Sequence, residues 1–390
     1  MSTVHYFDNN ATTRVAPEVV EAMLPFFSER YGNASSMHAF GGDVHKDMEA
    51  ARAKVAAFLH CDPMEVVFTS CGSESDNNAI FGAVEALGEG TTVITSKVEH
   101  PAVLQPCKWL EEHGARIERI GVHKDGTLDM DAYRAALEIP GPKLVTLMWA
   151  NNETGVLFPI RECAVLAKAA GAVFHTDATQ SAGKLAEVDM SVCPADMLSF
   201  SGHKLHAPKG IGVLFVRRGT PVRPFLLGGH QERSRRAGTE NIPYIVGLGK
   251  AVELAMEEIR SGEIDRVRAL RDRLQEGLLK IPQAVVNGHL EQRLPNTLNI
   301  SFPYIEGEAI LYHLSDAGIC ASSGSACTSG SLEPSHVLRA MDAPFTSLHG
   351  SIRFSLSRYN TDEDVDAVLA VLPGIVAKLR ELSPFWKDGK

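Results

Sequence analysis

The chain has 390 residues, 44% of them hydrophobic, and a formal net charge of −10 at pH 7. This length exceeds what a single hydrophobic core usually contains, so we expect two domains. The acidic balance and the absence of a Lys/Arg-rich run argue against a nucleic-acid-binding protein, and no run of about 20 apolar residues predicts a membrane span.

Cysteine usage and the N-terminal residues indicate a cytoplasmic protein. Seven cysteines are scattered through the sequence, and no two have the spacing of a CxxC pair. An odd, dispersed set argues against a secreted disulfide framework and against a structural zinc site. Residues 1–8 also lack the charged and apolar regions of a signal peptide. We therefore expect reduced thiols and a cytoplasmic location.

Helical periodicity and short apolar runs alternate over residues 17–264. Helices are predicted over residues 17–27, 43–59 and 160–170. Strands are predicted over residues 65–69, 92–95, 144–149, 172–175, 197–200 and 212–216. Because helices separate most of these strands, the pattern favours an α/β fold with a mostly parallel sheet that is covered on both faces.

The pattern changes after residue 240. A long helical region is predicted over residues 240–279, followed by a strand at 297–301, a helix from Gly307, a strand at 351–355 and a helix at 361–381. We expect residues 15–260 to form a large domain. Residues 1–14 and 261–390 are expected to form a smaller α+β domain.

Lys204 and Asp177 each follow a predicted strand, where open α/β sheets bind ligands. Lys204 at such a position can form a Schiff base with an aldehyde cofactor, and Ser201 and His203 beside it can donate hydrogen bonds to a phosphate. The alternative is a solvated surface lysine. Pyridoxal phosphate needs a carboxylate such as that of Asp177 against its pyridinium nitrogen, and Gln180 can reach its phenolic oxygen. The alternative for Asp177 is a helix N-cap.

Small residues follow the strand predicted at residues 65–69 and precede a helix. Backbone N–H groups at a helix start bind phosphate; Gly72 permits close approach and Ser73 adds a hydroxyl. The pattern is neither GxGxxG nor a Walker motif, so dinucleotide or ATP binding is not predicted. The alternative is simple helix capping by Ser73 with Asp76.

Three further residues are candidates for substrate or ring contacts. His100 follows the strand at residues 92–95 and can stack on a cofactor ring and move protons near neutral pH. Asn152 follows another strand and can contact the ring oxygen and a substrate carboxylate. Arg353 can bind that carboxylate in bidentate fashion. The respective alternatives are a packed or surface histidine, a turn residue and an ordinary surface salt bridge.

Cys327 lies in a stretch of Ala, Ser, Gly and Thr over residues 321–331. Small residues offer few packing anchors, so we expect a loosely ordered loop over about 321–333. A thiol on such a loop can reach a buried reaction centre and then carry a group away. The alternative is a Ser/Gly linker with an incidental cysteine.

Four motifs together resemble a known family: Ser-Gly-His-Lys at 201–204, His-Thr-Asp-Ala-Thr-Gln at 175–180, Arg-Ala-Gly-Thr-Glu-Asn at 236–241 and Ser-Gly-Ser-Ala-Cys at 323–327. The chain resembles the aminotransferase class V family of fold-type I pyridoxal-phosphate enzymes, and within it the NifS/IscS-type cysteine desulfurases. The stretches at 148–155, 203–209 and 331–339 are closer to the NifS branch. Cys-Gly-Ser at 71–73 departs from the Gly-Ala-Thr that IscS-type relatives often have, although Ser73 keeps the hydroxyl.

The resemblance implies a seven-stranded sheet, pyridoxal 5′-phosphate as cofactor and a homodimer. It assigns Lys204 as the Schiff-base lysine and catalytic base, His100 as a catalytic residue stacked on the ring, and Cys327 as the sulfur nucleophile. The residues that it implies for cofactor binding are Asp177, Gln180, Gly72, Ser73, Asn152, Ser201, His203 and, from the neighbouring subunit, Thr239. Arg353 and Asn152 would hold the substrate carboxylate.

The implied reaction converts L-cysteine to L-alanine with transfer of sulfur to Cys327 as a persulfide. The implied role is sulfur supply for iron–sulfur cluster assembly, that of nitrogenase in particular, through a U-type scaffold protein as acceptor. Cys327 would be a transient ligand of the cluster during its transfer. The alternatives are a housekeeping IscS-like desulfurase, a selenocysteine lyase, another class V enzyme of this fold, or a non-catalytic sulfur-carrier scaffold.

Overall fold

The computed structural model describes residues 4–323 and 334–386. The strands in chain order are β1 (His5–Tyr6), β2 (Val66–Thr69), β3 (Thr92–Ser96), β4 (Arg116–Ile120), β5 (Lys143–Met148), β6 (Val173–Asp177), β7 (Met197–Ser201), β8 (Gly212–Val216), β9 (Val285–Val286), β10 (Thr297–Ser301), β11 (Ile319–Cys320) and β12 (Ser351–Ser355).

The helices in these ranges are α1 (Pro17–Met23), α2 (Pro25–Ser28), α3 (Ala39–Leu59), α4 (Gly72–Leu87), α5 (Pro101–Glu112), α6 (Met130–Leu137), α7 (Ile160–Ala169), α8 (Gln231–Ser234), α9 (Ile242–Ser261), α10 (Glu263–Leu278), α11 (Gly307–Asp316), α12 (His336–Ala340), α13 (Phe345–Leu348) and α14 (Asp362–Leu382). Two 3₁₀ turns lie at Pro63–Glu65 and Gly202–Lys204. Within the described residues, no helix is both long and apolar enough to cross a membrane.

Seven strands form the central sheet in the order β2-β8-β7-β6-β5-β3-β4. Strands β4, β3, β5, β6 and β7 run parallel, and only β8 pairs antiparallel with its neighbours on both sides. Every residue of β5, β6 and β7 is buried, as expected when both sheet faces are covered. Neighbouring residues Val93 and Ile94 of β3 accordingly belong to different core clusters. The predicted α/β fold with a mostly parallel sheet is confirmed.

A second core lies around the sheet β12-β10-β9. Helices α10, α11 and α14 contribute apolar side chains to it, among them Leu274, Leu314 and Leu372, and Phe7 from the N-terminal segment packs in the same cluster. Strand β1 pairs in parallel with β11, which joins the N-terminal segment to this part of the chain. The domain boundaries given above remain a prediction.

Local chemistry explains where the elements differ from the predicted ones. The helix predicted at residues 17–27 is split into α1 and α2 at Pro25, which has no N–H to continue the first helix. Helix α3 begins four residues before residue 43, because His38 caps it by accepting a hydrogen bond from Gly41 N. The long helical region from residue 240 is interrupted at Gly262, whose φ of 80° separates α9 from α10.

Strand β4 was not predicted. Its sequence, Arg-Ile-Glu-Arg-Ile, contains no apolar run, and its side chains are mostly not buried. The strand lies at the edge of the sheet, where charged side chains are common because they oppose pairing with another chain.

Candidate active site

A cavity of about 310 Å³ lies at the carboxyl ends of the central parallel strands. Met148 at the end of β5 is opposite Asp177 of β6, and Asp177 is opposite Ser199 of β7. Polar residues that follow neighbouring strands therefore converge on one edge of the sheet. The predicted site residues that line the cavity are Gly72, Ser73, His100, Asn152, Asp177, Gln180, Ser201, His203, Lys204 and Arg353.

Lys204 ends the 3₁₀ turn that follows β7, and its amine lies at the wall of this cavity. Lys204 Nζ donates hydrogen bonds to the carbonyl oxygens of Asn10 (2.6 Å) and Ala11 (2.7 Å). The N-terminal segment, some 190 residues away in sequence, thus holds the amine in place. The surface-lysine alternative does not describe this position, since the side chain faces an internal cavity.

Asp177 is the last residue of β6, and its side chain is 7% exposed. The backbone N–H of Thr179 donates to Asp177 Oδ1 at 2.8 Å, which sets the orientation of the carboxylate. Turns rather than a helix follow at residues 179–184. The helix-cap alternative for Asp177 is therefore wrong, and the carboxylate faces the same cavity as the Lys204 amine.

The start of α4 forms the second wall of the cavity. Cys71 occupies the N-cap position and makes no side-chain capping bond, so the capping alternative for Ser73 is also wrong. A Cβ atom on Gly72 would lie 3.1 Å from Thr179 Oγ1 and 3.4 Å from Ser201 Cβ, which shows how closely the backbone approaches this wall. Ser201 Oγ is buried and has no hydrogen-bond partner among the described residues.

These features fit a phosphate group. A helix N-terminus offers backbone N–H donors to an anion, and a buried hydroxyl without a partner is costly unless a ligand satisfies it. His203 lines the same cavity and hydrogen-bonds with Thr12 Oγ1 at 3.1 Å. Burial, together with the Lys204 ammonium, lowers the pKa of His203 to about 4, so at neutral pH its ring is uncharged and can donate one N–H.

His100 is both a helix cap and a cavity residue. Its Nδ1 accepts a hydrogen bond from Ala102 N at 3.1 Å at the start of α5. Burial lowers the pKa of His100, and the nearby Asp177 carboxylate opposes this only in part. Because Nδ1 is an acceptor, the neutral ring carries its hydrogen on Nε2. His100 can therefore exchange a proton with a group in the cavity through Nε2.

Arg353 is the central residue of β12 and is 3% exposed. It donates from Nη1 to the carbonyl oxygen of Asn152 (3.0 Å) and from Nη2 to Asp8 Oδ1 (2.8 Å). Its Nε has no hydrogen-bond partner among the described residues. The alternative of an ordinary surface salt bridge is wrong, because the guanidinium is buried at the cavity wall.

Two buried carboxyl groups beside the site were missed by the sequence reasoning. Asp76 lines the cavity, and burial raises its pKa well above the usual value, with a further contribution from the charge of Asp177. Glu99 is fully buried next to His100, and burial raises its pKa to about 8. The sequence suggests Asp76 only as a helix-capping partner, and no local pattern distinguishes a buried carboxyl group from an exposed one.

Thr239, a predicted site residue, is not among the residues that line this cavity. Thr239 is exposed and lines a separate cleft with Thr69, Glu232 and Arg236. Cys327 lies outside the described residues, between Ser323 and Pro334. The described residue Ser335 follows that interval and donates a hydrogen bond to Glu153, the neighbour of Asn152.

A family model and several named proteins match this chain over nearly its whole length. The family model described as aminotransferase class-V matches residues 5–368. A cysteine desulfurase of Gluconacetobacter diazotrophicus is 60% identical over 387 residues, which cover 98% of this chain and 96% of that protein. The cysteine desulfurase NifS of Azotobacter vinelandii is 56% identical over 383 residues, covering 98% and 94%, respectively.

Solved structures show the same similarity in three dimensions. A NifS-like protein matches with a TM-score of 0.91 at 38% identity, covering 97% of this chain and 100% of that one. A structure described as SspA in complex with cysteine matches with a TM-score of 0.80 at 34% identity, covering 92% and 100%, respectively.

Proposed function

Because the chain belongs to the aminotransferase class-V family, we propose that it is a pyridoxal-phosphate-dependent cysteine desulfurase. The observation that carries the proposal is the single cavity into which Lys204 and Asp177 project from neighbouring strand ends, beside a cradle suited to phosphate. The names of relatives at 55–60% identity over almost the whole chain support the same activity.

One group of cavity residues would hold the ring of the cofactor, and a second group would hold its phosphate. Asp177 would pair with the pyridinium nitrogen, while the amides of Gln180 and Asn152 would face the ring oxygen. The phosphate would lie at the start of α4, bound by Gly72, Ser73, Ser201 and His203. When bound through Lys204, pyridoxal phosphate supplies an electron sink next to the substrate α-carbon.

The substrate cysteine would be oriented by Arg353 and Asn152. A guanidinium matches the geometry of a carboxylate and is always charged, and this one is already fixed by the Asn152 carbonyl and Asp8. A cysteine complex is known for SspA, a structural relative. The Lys204 amine, once released, would take the α-proton as general base. His100 Nε2 would then deliver a proton as the product forms.

Cys327 would receive the sulfur. In this step its thiolate attacks the substrate sulfur, a sulfur–sulfur bond forms and the substrate carbon–sulfur bond breaks, so that L-cysteine and the thiol become L-alanine and a persulfide. Cys327 would then pass sulfur to a U-type scaffold protein and serve as a transient cluster ligand. The similarity to NifS supports a role in iron–sulfur cluster assembly; we propose that this assembly serves nitrogenase and takes place in the cytoplasm.

The proposal is tested with Lys204→Ala and Cys327→Ala, with Cys320→Ala as matched control. Lys204→Ala should abolish both the visible cofactor absorbance and alanine formation, because the covalent attachment and the base are lost together. Cys327→Ala should keep the absorbance and lose persulfide formation. The control should retain both, since Cys320 is a half-buried residue of β11.

Substrate comparison separates the alternatives. Purified wild-type protein is offered cysteine, selenocysteine and keto acids, and the products are quantified. Turnover of selenocysteine alone would identify a selenocysteine lyase, and amino transfer to a keto acid would identify an aminotransferase. Wild-type rates of sulfide release by Cys327→Ala would show that another group is the nucleophile.

A further inference from the structure

Lys184 is a partly buried lysine that has no role in the proposed reaction. It lies four residues after Gln180 and, together with Lys204, lines a small cavity of about 40 Å³. Its Nζ donates a hydrogen bond to Gln180 Oε1 at 3.0 Å. Gln180 in turn lines the active-site cavity and donates from Nε2 to the carbonyl oxygen of Asn10 at 3.0 Å.

This contact determines which way the Gln180 amide faces. A glutamine side chain can present either its oxygen or its NH₂ group in a given direction, since the two ends have almost the same shape. An ammonium group has only donors, so Lys184 must bind the oxygen. The NH₂ group is then directed to the Asn10 carbonyl, which also accepts from Lys204. A charged Lys184 thus makes Gln180 a donor at the cavity.

The charge of Lys184 also acts on Lys204. Burial lowers the pKa of Lys184 to about 7, and repulsion by the charged groups of Lys204 and Arg353 contributes further. Repulsion is mutual, so a protonated Lys184 disfavours the protonated form of Lys204. The other titratable or charged groups that line the small cavity are His206, Glu258 and Arg358. On the active-site side of Lys204 lie Asp76, His100, Asp177, His203 and Arg353.

These neighbours do not cancel that effect. The pKa values of His203 and His206 are lowered to about 4 by burial, so both rings are neutral at pH 7. Glu258 and Arg358 pair with each other. The repulsion between the two lysines is therefore not offset by the groups that line the small cavity.

We propose that Lys184 is a positioning residue of this site: it holds the Gln180 amide as a hydrogen-bond donor to the cofactor ring oxygen and places a second amine beside Lys204. The inference rests on the proposed function and adds a residue that does not touch the cofactor.

The test compares purified holoenzymes of wild type, Lys184→Met, Lys184→Gln and Lys184→Arg. The visible cofactor absorbance is titrated between pH 6 and 10. Because the pKa of Lys184 is about 7, its charge acts at the acid end of this range, and there both neutral variants should titrate at a higher pH than wild type, by up to about 0.5 unit. Lys184→Arg should titrate at or slightly below the wild-type pH, since arginine stays charged over the whole range and donates to the same oxygen.

Lys143→Met is the matched control for loss of a buried lysine. Lys143 is 7% exposed and donates to the carbonyl oxygens of Ile139 (2.8 Å) and Gly141 (3.0 Å). It begins β5, at the opposite end of the sheet from the cavity. A purely structural effect of removing a buried lysine would lower the stability of Lys143→Met as well, but should not shift its absorbance titration.

A second measurement tests whether Lys184 acts through Gln180. The rate at which the cofactor dissociates from holoenzyme should rise about 5- to 10-fold in Lys184→Met, as expected for loss of one favourably oriented hydrogen bond. In a Gln180→Ala background the same substitution should add little, because the amide is absent. Equal increases in both backgrounds would contradict a role through Gln180.

The outcomes separate the two proposals. A wild-type protein without visible cofactor absorbance would contradict the proposed function. A wild-type protein that carries the absorbance, with neutral Lys184 variants that titrate at the wild-type pH, would overturn this inference alone.

Discussion

At the scale of single residues, burial sets the protonation states around the cavity. His203 and His206 are kept neutral by burial, which lowers the pKa of each to about 4. Glu99 is the opposite case, because burial favours the protonated carboxyl. Its Oε1 accepts from Ser96 Oγ (2.6 Å) and Met148 N (3.1 Å), but these bonds only partly offset burial, and the pKa is about 8.

Glu99→Gln should change how stability depends on pH. In the unfolded chain Glu99 releases its proton near pH 4.5, whereas in the folded protein it keeps the proton up to about pH 8. Between these values the folded state binds more protons, so the wild-type free energy of unfolding should fall as pH rises. Glutamine mimics the neutral form, so the variant should lose part of this decrease, on the order of a few kcal/mol.

Guanidinium unfolding at pH 5, 6, 7 and 8 measures the effect. Glu138→Gln is the control, since Glu138 is an exposed carboxyl at the end of α6 and should leave the pH profile unchanged. Parallel profiles for wild type and Glu99→Gln would show that Glu99 is ionised in the folded protein across this range.

At the scale of elements, a buried ion pair connects α3 to the segment that leads to Thr239. Arg52 of α3 donates from Nη1 and Nη2 to the two carboxylate oxygens of Glu232, each at 2.7 Å. Glu232 also accepts from Phe68 N of β2 at 3.0 Å. Residues 232–234 of α8 have φ values of 46°, 59° and 63°, so this segment is a left-handed turn rather than a regular helix, a conformation that is costly for side chains other than glycine. The pair holds this strained turn against the large core.

Glu232→Gln should therefore be strongly destabilising. It leaves the buried Arg52 guanidinium with the partly exposed Glu49 as its remaining carboxylate partner and removes support from the turn, so we expect a loss of about 3 kcal/mol in the free energy of unfolding. Thermal and guanidinium unfolding of the purified protein measure it.

The matched control is Glu118→Gln, which disrupts the largely exposed Arg116–Glu118 pair in β4. That substitution should cost no more than about 1 kcal/mol. Similar losses for both variants would indicate that Glu232 contributes no more than an exposed pair.

At the scale of the whole molecule, the exposed position of Thr239 agrees with the expectation that it serves a second copy of the chain. Large apolar side chains are also exposed in two segments, with Leu24, Phe27 and Tyr31 in one and Leu227 in the other. Exposed apolar surface of this kind often marks an interface. We propose a homodimer, and we propose that the core around β10 and β12 belongs to the smaller of two domains.

The dimer should have twice the 42.2 kDa mass of one chain by light scattering. To test whether Thr239 acts across it, a Lys204→Ala chain is co-expressed with a Thr239→Val chain, and the heterodimer is isolated by two tags. Only the chain with Lys204 can attach the cofactor. Its cofactor dissociation rate should equal that of wild type, because its partner supplies an intact Thr239.

The Thr239→Val homodimer is the reference for this experiment and should release the cofactor faster. If the heterodimer releases it as fast as this homodimer, Thr239 acts within its own chain. A monomer in solution would contradict the homodimer directly.

Local sequence determined most of the secondary structure of this protein and the identity of its candidate site residues. Apolar runs predicted the strands that end near His100, Asn152, Asp177 and Lys204, and motif chemistry identified those residues as site candidates. Such inferences succeed because strand propensity and residue chemistry depend on a few adjacent residues, and because parallel strands bring their carboxyl ends to one edge. Predictions failed where the local signal was weak, as at the charged edge strand β4 and in the Gly-containing start of α3.

Tertiary structure decided the environment of those residues. The Asn10 carbonyl meets Lys204 across 194 positions of sequence, and Arg52 meets Glu232 across 180. Burial raises the pKa of Glu99 and lowers that of Lys184. These features arise from contacts between distant segments and from the exclusion of water, which no local pattern encodes; they determine which side chains are charged and which way the Gln180 amide faces.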